Sequence, residues 1–183
     1  MVPLVSLWLP IVVGAVIAFV ASAILHMVLP YHKNDYKKLP DEEAARAAMR
    51  GAAPGLYMTP HCTHEQMKSP EAKEKFKQGP NTIVTVMPAG EVTMGKYLGL
   101  WFVFLLIVNF FVAYLASRTL APGTHYLQVF RVVGTGAFLA LGLANMANGI
   151  WKSMPWSFVV KEMADGLIYA LLIAGSFGWL WPR

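Results

Sequence analysis

Charge is scarce in this chain, and cysteine scarcer. Nothing from Met1 to His32 is an acid, a lysine or an arginine, and Cys62 is the only cysteine. One cysteine excludes an internal disulfide framework and leaves the redox compartment unread. Charged residues make up 14% and hydrophobic ones 56%, whereas a soluble domain is roughly 25% charged and about 45–50% apolar. Catalytic signatures are missing too. There is no CxxC, CxxCH, HExxH or GxSxG, no P-loop, and no GxGxxG following a strand. That removes the usual markers of zinc hydrolases, c-type haem, α/β-hydrolases and nucleotide-binding enzymes. No cofactor is predicted, and the balance leans against an enzyme.

What is present is long apolar runs. "LWLPIVVGAVIAFVASAILHMVL" exceeds the ~20 residues a helix needs to cross the hydrocarbon. Pro10 lies near its start and Pro30 ends it. "ASA" at Ala21–Ala23 has the small-x-small form of a signal-peptidase site. Two features argue for an uncleaved helix instead: no basic residue forms a charged leader, and the run continues past Leu25 to Leu29. "KYLGLWFVFLLIVNFFVAYLASR" is a second span, a third runs from Tyr126 or Leu127 to Trp151, and a fourth from about Phe158 to Trp181. The fold expected is therefore an all-α membrane protein of four transmembrane helices in an antiparallel bundle. Residues 1–30 form helix 1, 31–95 a polar insertion, and 96–183 helices 2–4. All six tryptophans fall near predicted span ends, as an interfacial aromatic belt requires.

The polar segment is predicted to hold two short helices and one strand. Asp41 caps the first helix and Gly51 ends it. Ser69 caps the second, Pro70 opens it and Gly79 follows it. "NTIVTVMP" reads as a lone strand that needs a partner from this chain or another. Ten of the fifteen Lys and Arg lie in 31–96. The positive-inside rule then puts 31–95 in the cytoplasm and both termini outside.

Three constellations carry candidate chemistry. The first is small residues at every fourth position: Gly14, Ala18 and Ser22; Gly136, Ala140 and Ala144; Gly166, Ala170, Ala174 and Gly178, with a shorter set at Asn109, Ala113 and Ser117. Such faces let membrane helices approach closely, in a bundle or against another subunit. The second is a polar cluster within one leaflet: His26, Asn145, Asn148, Glu162 and Asp165. Ionisable groups at that depth are costly and face the interior or water. A His and a carboxylate on facing helices would relay a proton, hydrogen-bond a quinone or ligate a metal. The plainer reading pairs Lys161 with Asp165 along one helix and uses the asparagines as interhelical glue. The third is "PHCTH", where His61, Cys62 and His64 are zinc or copper ligand types short of a fourth ligand. A solvated loop is the favoured reading of the three.

The layout is similar to that of many small bacterial inner-membrane proteins, and the multi-pass location follows. The expected partners are the bilayer and other membrane subunits, or a second copy of the chain; nucleic acid is not among them. The leading expectation is a non-enzymatic accessory or scaffold component. A small oligomeric transporter or channel is the first alternative, and a redox or quinone-linked enzyme using His26 and Asp165 the second.

Overall fold

The computed structural model describes residues 1–183. The chain is mostly helical, and its contacts divide it into two units, Met1–Tyr36 with Thr93–Arg183, and Lys37–Val92.

The first unit holds the apolar helices. Three stretches are long and apolar enough to cross a membrane: Leu4–Val28, Met94–Thr119 and Tyr126–Trp151. The first contains α1, Trp8–Ala23, and then widens into a π-helical turn, Ile24–Val28. Pro30 explains the ending. Its ring clashes with the carbonyl four residues back and drives the preceding residue out of the helical region. Leu29 is accordingly extended (φ −81°, ψ 138°), and its N–H reaches back five residues to Ile24. A short 3₁₀ turn follows at Pro30–His32.

Beyond the first unit's break, α2 spans Glu42–Ala48, β1 Gly55–Thr59, α3 Pro70–Gln78 and β2 Thr82–Val86. All four lie in the second unit. Side chains cap both helices: Asp41 accepts from Ala44 N–H at 2.9 Å and Ser69 from Ala72 N–H at 3.1 Å. The strand read from the sequence as needing a partner finds one within the chain. β1 pairs with it antiparallel, Gly55 opposite Val86 and Thr59 opposite Thr82. β1 escaped notice because Gly55 and Met58 are weak strand formers and no polar–apolar alternation marks it.

The chain returns to the helical unit with α4, Met94–Thr119. The third candidate span is broken. α5 runs Tyr126–Leu141, a 3₁₀ turn covers Leu143–Asn145, and α6 is Met146–Trp151. The stretch read from the sequence as one span is thus two helices joined by a 3₁₀ turn. The break is satisfied locally, because the Asn145 amide donates to the Leu141 carbonyl at 3.0 Å. Freed backbone groups in an apolar region need such a partner. α7, Trp156–Trp179, is helical throughout. Lys161, Glu162 and Asp165 place three charges in its first half, and it is not among the three candidate spans.

The core of this unit lies between α1, α4, α5 and α7, with Leu7, Leu105, Val129, Val133, Ile173 and Phe177 fully buried. α5 and α7 pack closest. A Cβ on Gly134 would come 3.2 Å from Ala174 Cβ, and one on Gly166 would fall 2.5 Å from the Gly142 backbone. Small residues on α7 therefore set this approach: Gly166, Ala170 and Ala174 are buried. On α1, Gly14, Ala18 and Ser22 are buried, with Gly14 against Asn109 of α4. On α5 the buried row is instead Val129, Val133, Ala137 and Leu141. Gly136 is half-buried, while Ala140 and Ala144 are exposed. Nor are all tryptophans peripheral. Trp181 is buried and donates to the Ala121 carbonyl, and Trp101 donates to Ser22 Oγ.

Candidate functional site

The end of α1 and the start of α7 meet in a cluster of ionisable side chains. Asp165 is its centre. It lies on the buried face of α7 at 2% exposure, one turn before the buried Tyr169. A lone buried carboxylate would be costly, and both its oxygens are engaged. The Tyr31 hydroxyl donates to Oδ1. His32 Nε2 donates to Oδ2 at 2.8 Å.

His32 sits between two carboxylates. Its Nδ1 donates to Asp35 Oδ2 at 2.5 Å. Asp35 in turn accepts at Oδ1 from Lys161 Nζ at 2.5 Å, and the same ammonium donates to the Tyr31 carbonyl at 2.6 Å. Lys161 therefore ties the segment after Pro30 to α7. The expected Lys161–Asp165 pair along α7 does not form. The ammonium leaves its own helix for Asp35, because Asp165 is already saturated by Tyr31 and His32.

His26 closes the group. Its ring stacks on His32 with centroids 4.4 Å apart and planes 8° apart. Nδ1 lies 3.1 Å from the Ser22 carbonyl. A carbonyl only accepts, so Nδ1 carries the proton. Nε2 is left facing Asp165 Oδ2 at 3.9 Å and Glu162 Oε1 at 4.0 Å. His26 and Glu162 are the open side, their side chains 45% and 30% exposed, whereas those of Asp35 and Asp165 are almost wholly covered.

The electrostatics follow from this wiring. Burial pulls the His32 imidazolium down, but hydrogen bonds to Asp35 and Asp165 outweigh it and raise the group above its ordinary value. The Lys161 ammonium, and then His32, hold the Asp35 carboxyl below the usual range. Burial, reinforced by Asp165, pushes the Tyr31 phenol well above its ordinary value. Tyr31 is thus a hydrogen-bond donor at any physiological pH.

Of the five residues the sequence grouped by depth, His26, Glu162 and Asp165 lie together. Asn145 and Asn148 make no hydrogen bond to them, and Asn145 is used by the α5 break. His61, Cys62 and His64 do not join a converging set of three or more ligand-type residues; the chain has one such set, His26, His32, Glu162 and Asp165. Four members of the cluster were missed by depth alone: Tyr31, His32, Asp35 and Lys161. Pro30 was the signal for three of them. A proline that stops a membrane helix puts the next residues at that helix end.

The chain matches no protein-family model, no curated protein and no solved structure.

Proposed function

We propose that this is a four-span membrane protein whose work is done by binding a cation at the cluster of His26, Tyr31, His32, Asp35, Lys161, Glu162 and Asp165. In this reading α7 is the fourth span and pairs antiparallel with its neighbours, with residues 31–95 in the cytoplasm and both termini outside. A bacterial inner membrane suits the layout. The observation that carries the reading is charge. Three carboxylates face one ammonium, and the two imidazoles supply the only other charge that could balance them. An excess of negative charge on two covered carboxylates and one partly open one is unstable without a bound cation, whether protons or a metal.

Thermal unfolding of the full chain in mild detergent tests this, across pH and a panel of metal chlorides. The midpoint should move with at least one cation, protons included, and Asp165→Asn should remove that dependence. A midpoint indifferent to pH and to every cation would sink the reading.

A second reading is an accessory component of a membrane assembly, supported by the outward-facing Ala140 and Ala144. Small exposed residues four apart are what a helix from another subunit packs on. The double variant Ala140→Leu, Ala144→Leu should then lose a co-purifying partner or a homo-oligomer.

A further inference from the structure

The cation can be narrowed, and three independent features of the cluster do so. The first is convergence. His26 Nε2, His32 Nε2, one Glu162 oxygen and one Asp165 oxygen lie within 4.8 Å of one another. Four ligands about 2.1 Å from a tetrahedral ion are ~3.4 Å apart. The separations of 2.8, 3.9 and 4.0 Å bracket that value. Small side-chain rotations would complete the set.

The second feature is ring orientation. Both imidazoles turn Nδ1 away from the group, onto the Ser22 carbonyl and the Asp35 carboxylate, and point Nε2 into it. A histidine that ligates a metal is held in this way, its far N–H on a carbonyl or carboxylate. The support extends outward. Trp101 of α4 donates to Ser22 Oγ at 2.9 Å, and Lys161 holds Asp35. At His32 the ion would take the place of the proton that Nε2 shares with Asp165 in the metal-free chain.

The third is charge count. The three carboxylates outnumber the Lys161 ammonium by two, which one divalent ion neutralises with both imidazoles uncharged.

The geometry points to a divalent first-row transition ion, of the zinc or iron(II) class, held by His26 Nε2, His32 Nε2, Glu162 and Asp165. Two imidazoles and two carboxylates suit such ions. An all-oxygen set would select magnesium or calcium, and thiolates would select copper(I). Tyr31 and Asp35 are positioning residues. Tyr31 fixes one Asp165 oxygen so that the other faces the ion, and Asp35 fixes the His32 ring. The exposed side at His26 and Glu162 is the entry path. This inference rests on the cation-binding reading and deepens it.

The test is metal content and Co²⁺ spectroscopy on the full chain, purified through a tag that contains no histidine. After Zn²⁺ loading and dialysis, one zinc per chain should remain. Co²⁺ should give the visible d–d bands of a four-coordinate site. Glu162→Gln, at a half-exposed position that should fold normally, and His32→Gln should each weaken Zn²⁺ at least ~10-fold. Asp35→Asn should weaken it ~10–100-fold, as the loss of outer support does. His61→Ala with His64→Ala should change nothing. No retained metal, or retention unaltered in Glu162→Gln and His32→Gln, would overturn the proposal. Should metal fail while pH still shifts the unfolding midpoint through Asp165, the ion assignment falls and cation binding stands with protons as the occupant.

Discussion

Asp165 and Gly166 are neighbours with opposite demands on α7. Asp165 must keep two acceptors in place, because the Tyr31 hydroxyl and His32 Nε2 end on it. Asp165→Leu strands both donors and removes one side of a buried charge pair. Such losses cost about 3–5 kcal/mol, which thermal unfolding in detergent would register as a large drop in midpoint. Gly166 must carry nothing, since a Cβ there would collide with the Gly142 backbone. Gly166→Val should destabilise by ~1–3 kcal/mol through overpacking. Gly95→Ala in α4, where a Cβ meets nothing within 4 Å, should be neutral or stabilising by up to ~1 kcal/mol. His32 links the site to pH. In the metal-free chain its pKa is raised in the folded state. Its contribution is therefore complete below the ordinary imidazole value of ~6.5 and is lost as pH rises through the raised value. Asp35 acts in reverse. Its pKa is lowered, so its contribution is present above ~3.9 and is lost as pH falls through the depressed value. In chelator, the unfolding midpoint should fall as pH rises above the ordinary imidazole value, and His32→Gln should flatten that limb. A limb unchanged in His32→Gln would remove His32 as its cause.

The elements that matter most for the site are the places where helices fail. α1 widens at Ile24–Val28 and stops at Pro30. A π-turn of this kind often sits at a functional site, and here it lets His26 stack on His32, six positions on. Pro30→Ala relieves the clash that ends the helix. The segment Tyr31–Asp35 should then favour continued helix and swing away from α7. The variant is expected to stay folded in detergent with its helical content unchanged or higher, and to lose cation-dependent stabilisation. Full retention of that stabilisation would show that the proline is not what presents His32. At the other break, the Asn145 amide covers the Leu141 carbonyl where α5 gives way to a 3₁₀ turn. Asn145 is thereby accounted for as a backbone partner, which its depth in the sequence could not distinguish from a site role.

For the whole molecule, the proposed topology has a probe already built in. Cys62 is the only cysteine and is partly exposed. If residues 31–95 are cytoplasmic, a membrane-impermeant maleimide should spare Cys62 in intact cells and label it in inverted vesicles. Ala121→Cys in a Cys62→Ser background should show the reverse, because Ala121 lies in the link between the second and third apolar stretches. Labelling of Cys62 in intact cells would invert the orientation.

Much of this protein follows from sequence alone, for reasons that are local. Three apolar stretches of spanning length announce themselves by hydropathy, since lipid demands uncharged surface over a fixed thickness. Asp41, Ser69 and Pro70 mark helix starts because a cap satisfies donors within three residues of itself. His26, Glu162 and Asp165 could be grouped by depth, because connection order and helix length put them at one end. Three things belonged to the tertiary structure. Gly55–Thr59 became a strand only by pairing with Thr82–Val86. The buried row of α5 proved to be Val129, Val133, Ala137 and Leu141, since the rotation of a helix about its axis is set by its neighbours. The site itself was decided by contacts 126 to 134 residues apart, joining Tyr31, His32 and Asp35 to Lys161 and Asp165. No local pattern encodes that junction; it exists because the buried Asp165 must find donors, and the segment released by Pro30 brings them.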